Sequence, residues 1–165
     1  ENQIKDSHFT NYKSNAGGAI YVNGYNGTNL TISNTIFENN SVSSSKGGGA
    51  LYIEGCYPTI SKCSFINNDA ECGTCLRYDY LSGEQKGNYI YMTIQDCNFL
   101  HTINGSYKKV GMIYFCQSVS YDIKLICTGN KIDLSEVSDL SFLSSFSQNI
   151  LSWSKLTITN NYISP

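Results

Sequence analysis

The stretch ISNTIFENNSVSSSKGGGALYI, Ile32 to Ile53, decides the fold, because the chain copies it in both directions. It holds an apolar pair (Ile32, Phe37), a doubled asparagine (Asn39, Asn40), a Ser/Lys loop, a glycine run (Gly47, Gly48, Gly49) and a short apolar strand from Ala50 to Ile53. The same order runs upstream through Ile4, Phe9, Asn11, Gly17, Gly18 and Ala19 to Val22, and downstream through Ile60, Phe65, Asn67 and Asn68. Ile4, Ile32 and Ile60 stand at equal intervals, and each keeps the Ile-x4-Phe spacing. Later pairs, Ile94 with Phe99, Cys127 with Ile132 and Ile158 with Ile163, follow at longer and unequal steps. Self-similarity at such a period marks a solenoid, a propeller or an array.

Local chemistry separates these. The runs AIYV, LTIS, LYI and MIYF are rich in β-branched and aromatic residues that favour strands. Gly, Asn and Ser clusters between them favour turns. A repeat of about 28 residues holds about three short strands, fewer than the roughly four in about 40 residues of a propeller blade. The expected fold is therefore all-β: a right-handed parallel β-helix of about five coils, its hand taken from the usual sense of parallel crossovers. With rungs about 4.8 Å apart, Ile4/Ile32/Ile60/Ile94 and Phe9/Phe37/Phe65/Phe99 stack in the bore. Asn11, Asn39 and Asn67 are expected to bond along one corner, and Gly17 and Gly48 to take corner dihedrals closed to other residues.

The pairing of GGAI (Gly17 to Ile20) or GGAL (Gly48 to Leu51) with F-x-x-N (Phe37 to Asn40, Phe65 to Asn68) resembles the repeat of the chlamydial polymorphic outer membrane proteins. Related repeats occur in protist and bacterial surface proteins of the pectin-lyase-like fold. The resemblance is good over residues 4 to 68 and partial to 165: Phe9 and Phe99 lack the matching Asn, and the glycine corner returns as Gly111. It implies a right-handed β-helix and a surface location, as an adhesin or displayed protein. The fold also hosts pectin-degrading enzymes.

The 165 residues carry a net charge of −2 with 15% charged residues. No basic field exists to hold nucleic acid or an anionic membrane. No apolar run approaches the roughly 18 residues of a membrane-spanning helix, so membrane insertion is not expected. One elongated domain, 1–165, is expected, cut mid-coil at Glu1 and Pro165 as a processed chain or a fragment of a longer solenoid or fibre. Seven cysteines suit an oxidising compartment, with at least one unpaired within the chain. Acceptor sequons stand at Asn26, Asn29, Asn39 and Asn104. N-linked glycans are expected at Asn26 and Asn104 before Asn39, since a ladder amide cannot also present itself to a transferase. The sum is an extracellular, secreted chain.

Tyr21, Tyr52 and Tyr114 hold equivalent positions, an outward stripe that contacts sugar rings or a cell-surface partner, or else covers a strand face beneath a loop. Residues 69–88 read as the main insertion, where a site would be grafted, with Cys72, Cys75, Arg77, Tyr78, Asp79, Tyr80 and Glu84. Cys72-x-x-Cys75 reads as a loop staple, since nothing completes a zinc site. Cys63 and Cys97 stack in successive coils, as a disulfide or as buried thiols. Segment 133–143 is a short helix or an enlarged loop.

Catalysis lacks residues. No Asp-Asp pair exists, and Asp6 and Asp96 share a column three coils apart, roughly 14 Å at strand spacing and too wide for one glycosidic bond. His8 and His101, read as surface or corner residues, have no nucleophile partner. No metal or cofactor is expected. The function read from the residues is a structural or adhesive solenoid that stacks end to end with further coils or copies. The alternatives are a non-catalytic glycan-binding module and a polysaccharide lyase or hydrolase.

Overall fold

A computed structural model describes residues 2–79, 89–102, 111–116, 122–134, 140–146 and 152–164. Every strand pairing in it is parallel and joins one repeat to the next, so the chain is an all-β parallel solenoid. One stack contains His8–Thr10, Ile36–Glu38, Ser64–Ile66, Asn98–Leu100, Lys131–Asp133 and Tyr162–Ser164 in order. The larger sheet holds two segments of each coil, joined in the long strands Ile20–Ser33 and Leu51–Ser61. The segment Gly24 to Asn29 is part of the first of these, where the register slips between Asn23 and Thr28.

The anchors stack as the constant interval requires. Ile4, Ile32, Ile60, Ile94, Cys127 and Ile158 are successive partners, as are Phe9, Phe37, Phe65, Phe99, Ile132 and Ile163. The four phenylalanine rings lie 5.4, 5.1 and 4.9 Å apart, within 11° of parallel. Phe37, Phe65 and Phe99 are fully buried, and Phe142 closes edge-on against Phe99.

Left-handed backbone makes the corners, one column per corner. Asp6, Asn34, Lys62, Asp96, Gly129 and Asn160 form the first, with φ between 49° and 67°. Asn11, Asn39 and Asn67 form the second, and Gly17, Gly48, Gly73 and Gly111 the third. Asparagine and aspartate tolerate this region because their short polar side chains bond locally. The third corner leaves no room for a side chain, since a Cβ on Gly48 would run into the Leu51 carbonyl.

The amide ladder runs one residue later than Asn11/Asn39/Asn67. Asn39 is exposed, whereas Asn40 and Asn68 are fully buried. A left-handed corner residue throws its own side chain outward and turns the next one into the bore. Asn40 Nδ2 donates to Asn68 Oδ1 at 3.0 Å and to the Phe9 carbonyl at 2.9 Å, and Asn68 Nδ2 donates to the Phe37 carbonyl at 2.8 Å. Asn130 and Asn161 build a second ladder in the later coils, at 2.9 Å.

The third coil is more regular than its sequence suggests. Leu76–Asp79 is a strand, with Leu76, Arg77, Tyr78 and Asp79 beside Leu51, Tyr52, Ile53 and Glu54. Gly73 supplies the glycine corner, so within the expected insertion 69–88 residues 73–79 belong to the coil, and 80–88 lie outside the described residues. Of segment 133–143, Asp133 ends one strand and Leu143 begins the next, pairing with Ile113, while 135–139 lie outside the described residues. No helix occurs among the described residues.

Candidate functional site

On the outer face of the larger sheet the expected tyrosine stripe assembles, with an arginine inside it. Tyr21, Tyr52, Arg77 and Tyr114 are successive partners, and beside them run Asn23, Glu54, Asp79 and Cys116. The Arg77 guanidinium lies 5.1 Å from the Tyr52 ring centroid and 5.9 Å from that of Tyr114. It grips Asp79 through Nε and Nη2, both at 2.8 Å. Its Nη1 donates to the Ser45 carbonyl at 3.1 Å and to the Lys46 carbonyl, which pins the preceding loop over the stripe. Tyr52 Oη donates to Asp79 Oδ2 at 2.6 Å, and Tyr21 Oη to Glu54 Oε2 at 2.5 Å.

These groups satisfy one another. Burial opposes the charge of Arg77, yet the bond and charge of Asp79 more than offset it and hold the guanidinium protonated. Burial and then the bond to Asp79 push the Tyr52 phenol above its ordinary range. Tyr52 and Tyr114 are 6% exposed and Tyr21 49%, so only Tyr21 of the three offers a ring to solvent. Tyr78 is a correction: it alternates inward, is 1% exposed, and its hydroxyl donates to the Cys56 carbonyl at 2.7 Å in the bore. Tyr80 lies outside the described residues.

All seven cysteines are thiols. The Cys72–Cys75 staple is not formed: Cys75 is buried in the core, where burial pushes its pKa up to about 12, while Cys72 neighbours Arg77 and Tyr114 on the outside. Opposite directions of the two side chains keep the sulfurs apart. Cys63 and Cys97 stack in successive rungs as buried thiols, with the Cys63 N–H donating to Cys97 Sγ at 3.5 Å. Each thiol donates to the carbonyl two residues back, at 3.2 Å. The bond with Cys63 and then burial hold the Cys97 thiol well above the ordinary range.

Among the sequons, Asn29 and Asn39 are exposed. The ladder that set Asn39 behind the others belongs to Asn40, which removes that ranking. Asn26 lies in strand Ile20–Ser33, and Asn104 is outside the described residues. His8 is exposed beside Glu38 at 3.3 Å, but His101 is fully buried, against the expectation of a surface or corner residue. Asp6 and Asp96 do share the first corner column. No group of three or more His, Cys, Asp and Glu residues suited to a metal occurs among the described residues.

A second outer face escaped the sequence reading. Tyr91 and Lys124 are partners on strands Tyr89–Gln95 and Asp122–Thr128, and Tyr57 stands on the preceding rung, two residues before the pairing of Thr59 with Thr93. Lys124 Nζ sits 4.9 Å from the Tyr91 ring centroid and donates to its hydroxyl at 3.1 Å, while Tyr57 meets Tyr91 edge-on at 5.5 Å. An open concavity of about 280 Å³ beside them is lined by Tyr91, Met92, Thr93, Lys124 and Ile126. Only the neighbouring T-x-S, T-x-Q and I-x-T triplets pointed to it.

No protein-family model, curated protein or solved structure matches the chain.

Proposed function

We propose that the chain is an extracellular structural or adhesive solenoid, part of a surface protein or fibre, without catalysis. The observation that carries this reading is how the reactive side chains are spent. Arg77, Asp79, Tyr52, Glu54 and Tyr21 bond to one another across three strands and tie a loop to the sheet. A catalytic group must instead reach a substrate atom directly or through one water. The likeness of the GGAI, GGAL and F-x-x-N motifs to the chlamydial surface-protein repeats supports the same reading, as does a seven-cysteine, sequon-bearing composition. N-linked glycans on Asn29 and Asn39 fit their exposure. End-to-end stacking with further coils or with other copies belongs to the same proposal. Parallel rungs add head to tail, which makes a filament or a longer solenoid in place of a closed dimer.

Incubation with polygalacturonate, monitored for reducing ends and for unsaturated products, tests the reading. No release of either is the expected result, and turnover that co-purifies with the chain and falls on mutation of one of its carboxylates would overturn it.

A further inference from the structure

We propose that the face built by Tyr57, Tyr91, Lys124, Thr93 and Ile126 binds a neutral hexose polymer lying along the solenoid axis. This goes beyond the scaffold reading and uses a different surface from the tyrosine–arginine stripe. Among the described residues, Tyr91 and Ile126 are large apolar side chains exposed together in mid-solenoid, at 45% and 39%, and both line the concavity. At about 280 Å³ it sits just below the roughly 300–1,000 Å³ of pockets that enclose a whole ligand. That is space for one sugar unit of a longer chain. The tyrosine edge and the isoleucine methyls suit the apolar C–H side of a pyranose, while Thr93 and the Lys124 ammonium suit its hydroxyls.

The neighbouring columns say what the rest of the ligand is. Thr31, Thr59, Thr93, Ile126 and Thr157 are successive partners, and so are Ser33, Ser61, Gln95, Thr128 and Thr159. None of these positions is charged. They repeat at the rung spacing of about 4.8 Å, so a polymer whose units advance by about one rung meets the same kind of group at each step. Lys124 is held against the Tyr91 ring and hydroxyl, and Lys155 is its partner on the next rung, so two cations stand at the last two rungs of a strip whose other rungs are uncharged. The two uncharged columns, which run over five rungs where the lysines cover two, therefore favour a neutral chain over an acidic one.

Calorimetric titration of the whole chain with cellohexaose, chitohexaose and polygalacturonate tests this. Saturable binding of a neutral hexamer is expected, weakened about tenfold or more by Tyr91→Ala and by Ile126→Glu, and unchanged by Tyr21→Ala on the other stripe. Ile126 is exposed, so its variant keeps the fold, and an unchanged far-UV spectrum checks it. No binding of either neutral hexamer, binding of polygalacturonate alone, or binding indifferent to both Tyr91→Ala and Ile126→Glu would each overturn the proposal. Cleavage of a bound hexamer would instead overturn the non-catalytic reading and leave the binding face standing.

Discussion

Replacing Asn68 by alanine removes the centre of the first amide ladder. Asn68 Oδ1 accepts from the Asn40 backbone N–H at 3.1 Å and from Asn40 Nδ2 at 3.0 Å, and Asn68 Nδ2 donates to the Phe37 carbonyl at 2.8 Å. Both asparagines are fully buried, so the truncation strands two polar groups away from bulk water, the Asn40 N–H and the Phe37 carbonyl, while Asn40 Nδ2 keeps its bond to the Phe9 carbonyl. Each stranded group costs about 1–3 kcal/mol, which makes the total roughly 2–6 kcal/mol against the roughly 5–15 kcal/mol of a typical domain. Entry of a water into the space lowers the cost toward the bottom of that range. Urea denaturation followed by far-UV circular dichroism reads it as a fall in midpoint. The informative control is Asn39→Gly, at the same corner one coil earlier, where an exposed residue at φ 53° gives way to one that takes this backbone without strain. Its midpoint is expected to hold or rise slightly. A loss for Asn68→Ala no greater than the about 0.5 kcal/mol of an ordinary surface substitution would refute the placement of the ladder and with it the corner geometry. So would a larger loss for Asn39→Gly than for Asn68→Ala.

Two further outcomes follow from the outer stripe and the thiols. Arg77→Lys keeps a positive charge but loses the two-point grip on Asp79 and the flat group between Tyr52 and Tyr114, so a loss of about 1–3 kcal/mol is expected in thermal unfolding; an unchanged transition would show the clamp to be idle. Buried Cys75 and Cys127 have pKa values raised from 9.0 to about 12 and about 11. The native state therefore holds protons that the unfolded chain gives up, and the stability they contribute is complete below pH 9 and lost as pH rises through 11 to 12. Equilibrium unfolding across that window checks the slope, and a stability that rises there contradicts it.

The bore was legible because its residues are unlike and evenly spaced: an Ile and a Phe in fixed order, returning at one constant interval through the first three coils, set the register without further information. The doubled asparagine was legible only as a pair. Which member turns inward depends on which one adopts φ near 50°, and two identical neighbours carry no label for that. Arg77 was hidden differently. The third glycine corner is the single Gly73 inside ECGTCLRYD, so Arg77 read as loop until its strand was seen beside Tyr52. The Arg77 guanidinium that lies against the buried Tyr52 and Tyr114 rings is itself tied to the Ser45 and Lys46 carbonyls, contacts from the preceding coil that no local window of sequence contains. His101 escaped because its sequence neighbourhood departs from the repeat. Its N–H bonds to the Asp133 carbonyl as that of Asn67 bonds to Leu100, yet the side chain is fully enclosed.

The parallel ladders give the molecule a direction of mechanical weakness. Backbone hydrogen bonds pass from each rung to the next, along the axis, and the phenylalanine rings stack along that same line. Tension applied along the axis at the first rung loads the bonds of one interface before those of the next, so rungs peel away singly, like a zipper drawn from its end. Load applied across the axis meets every rung at once and is shared among them. A solenoid built this way resists shear over its flank while yielding length under a steady pull, extending in steps of one coil.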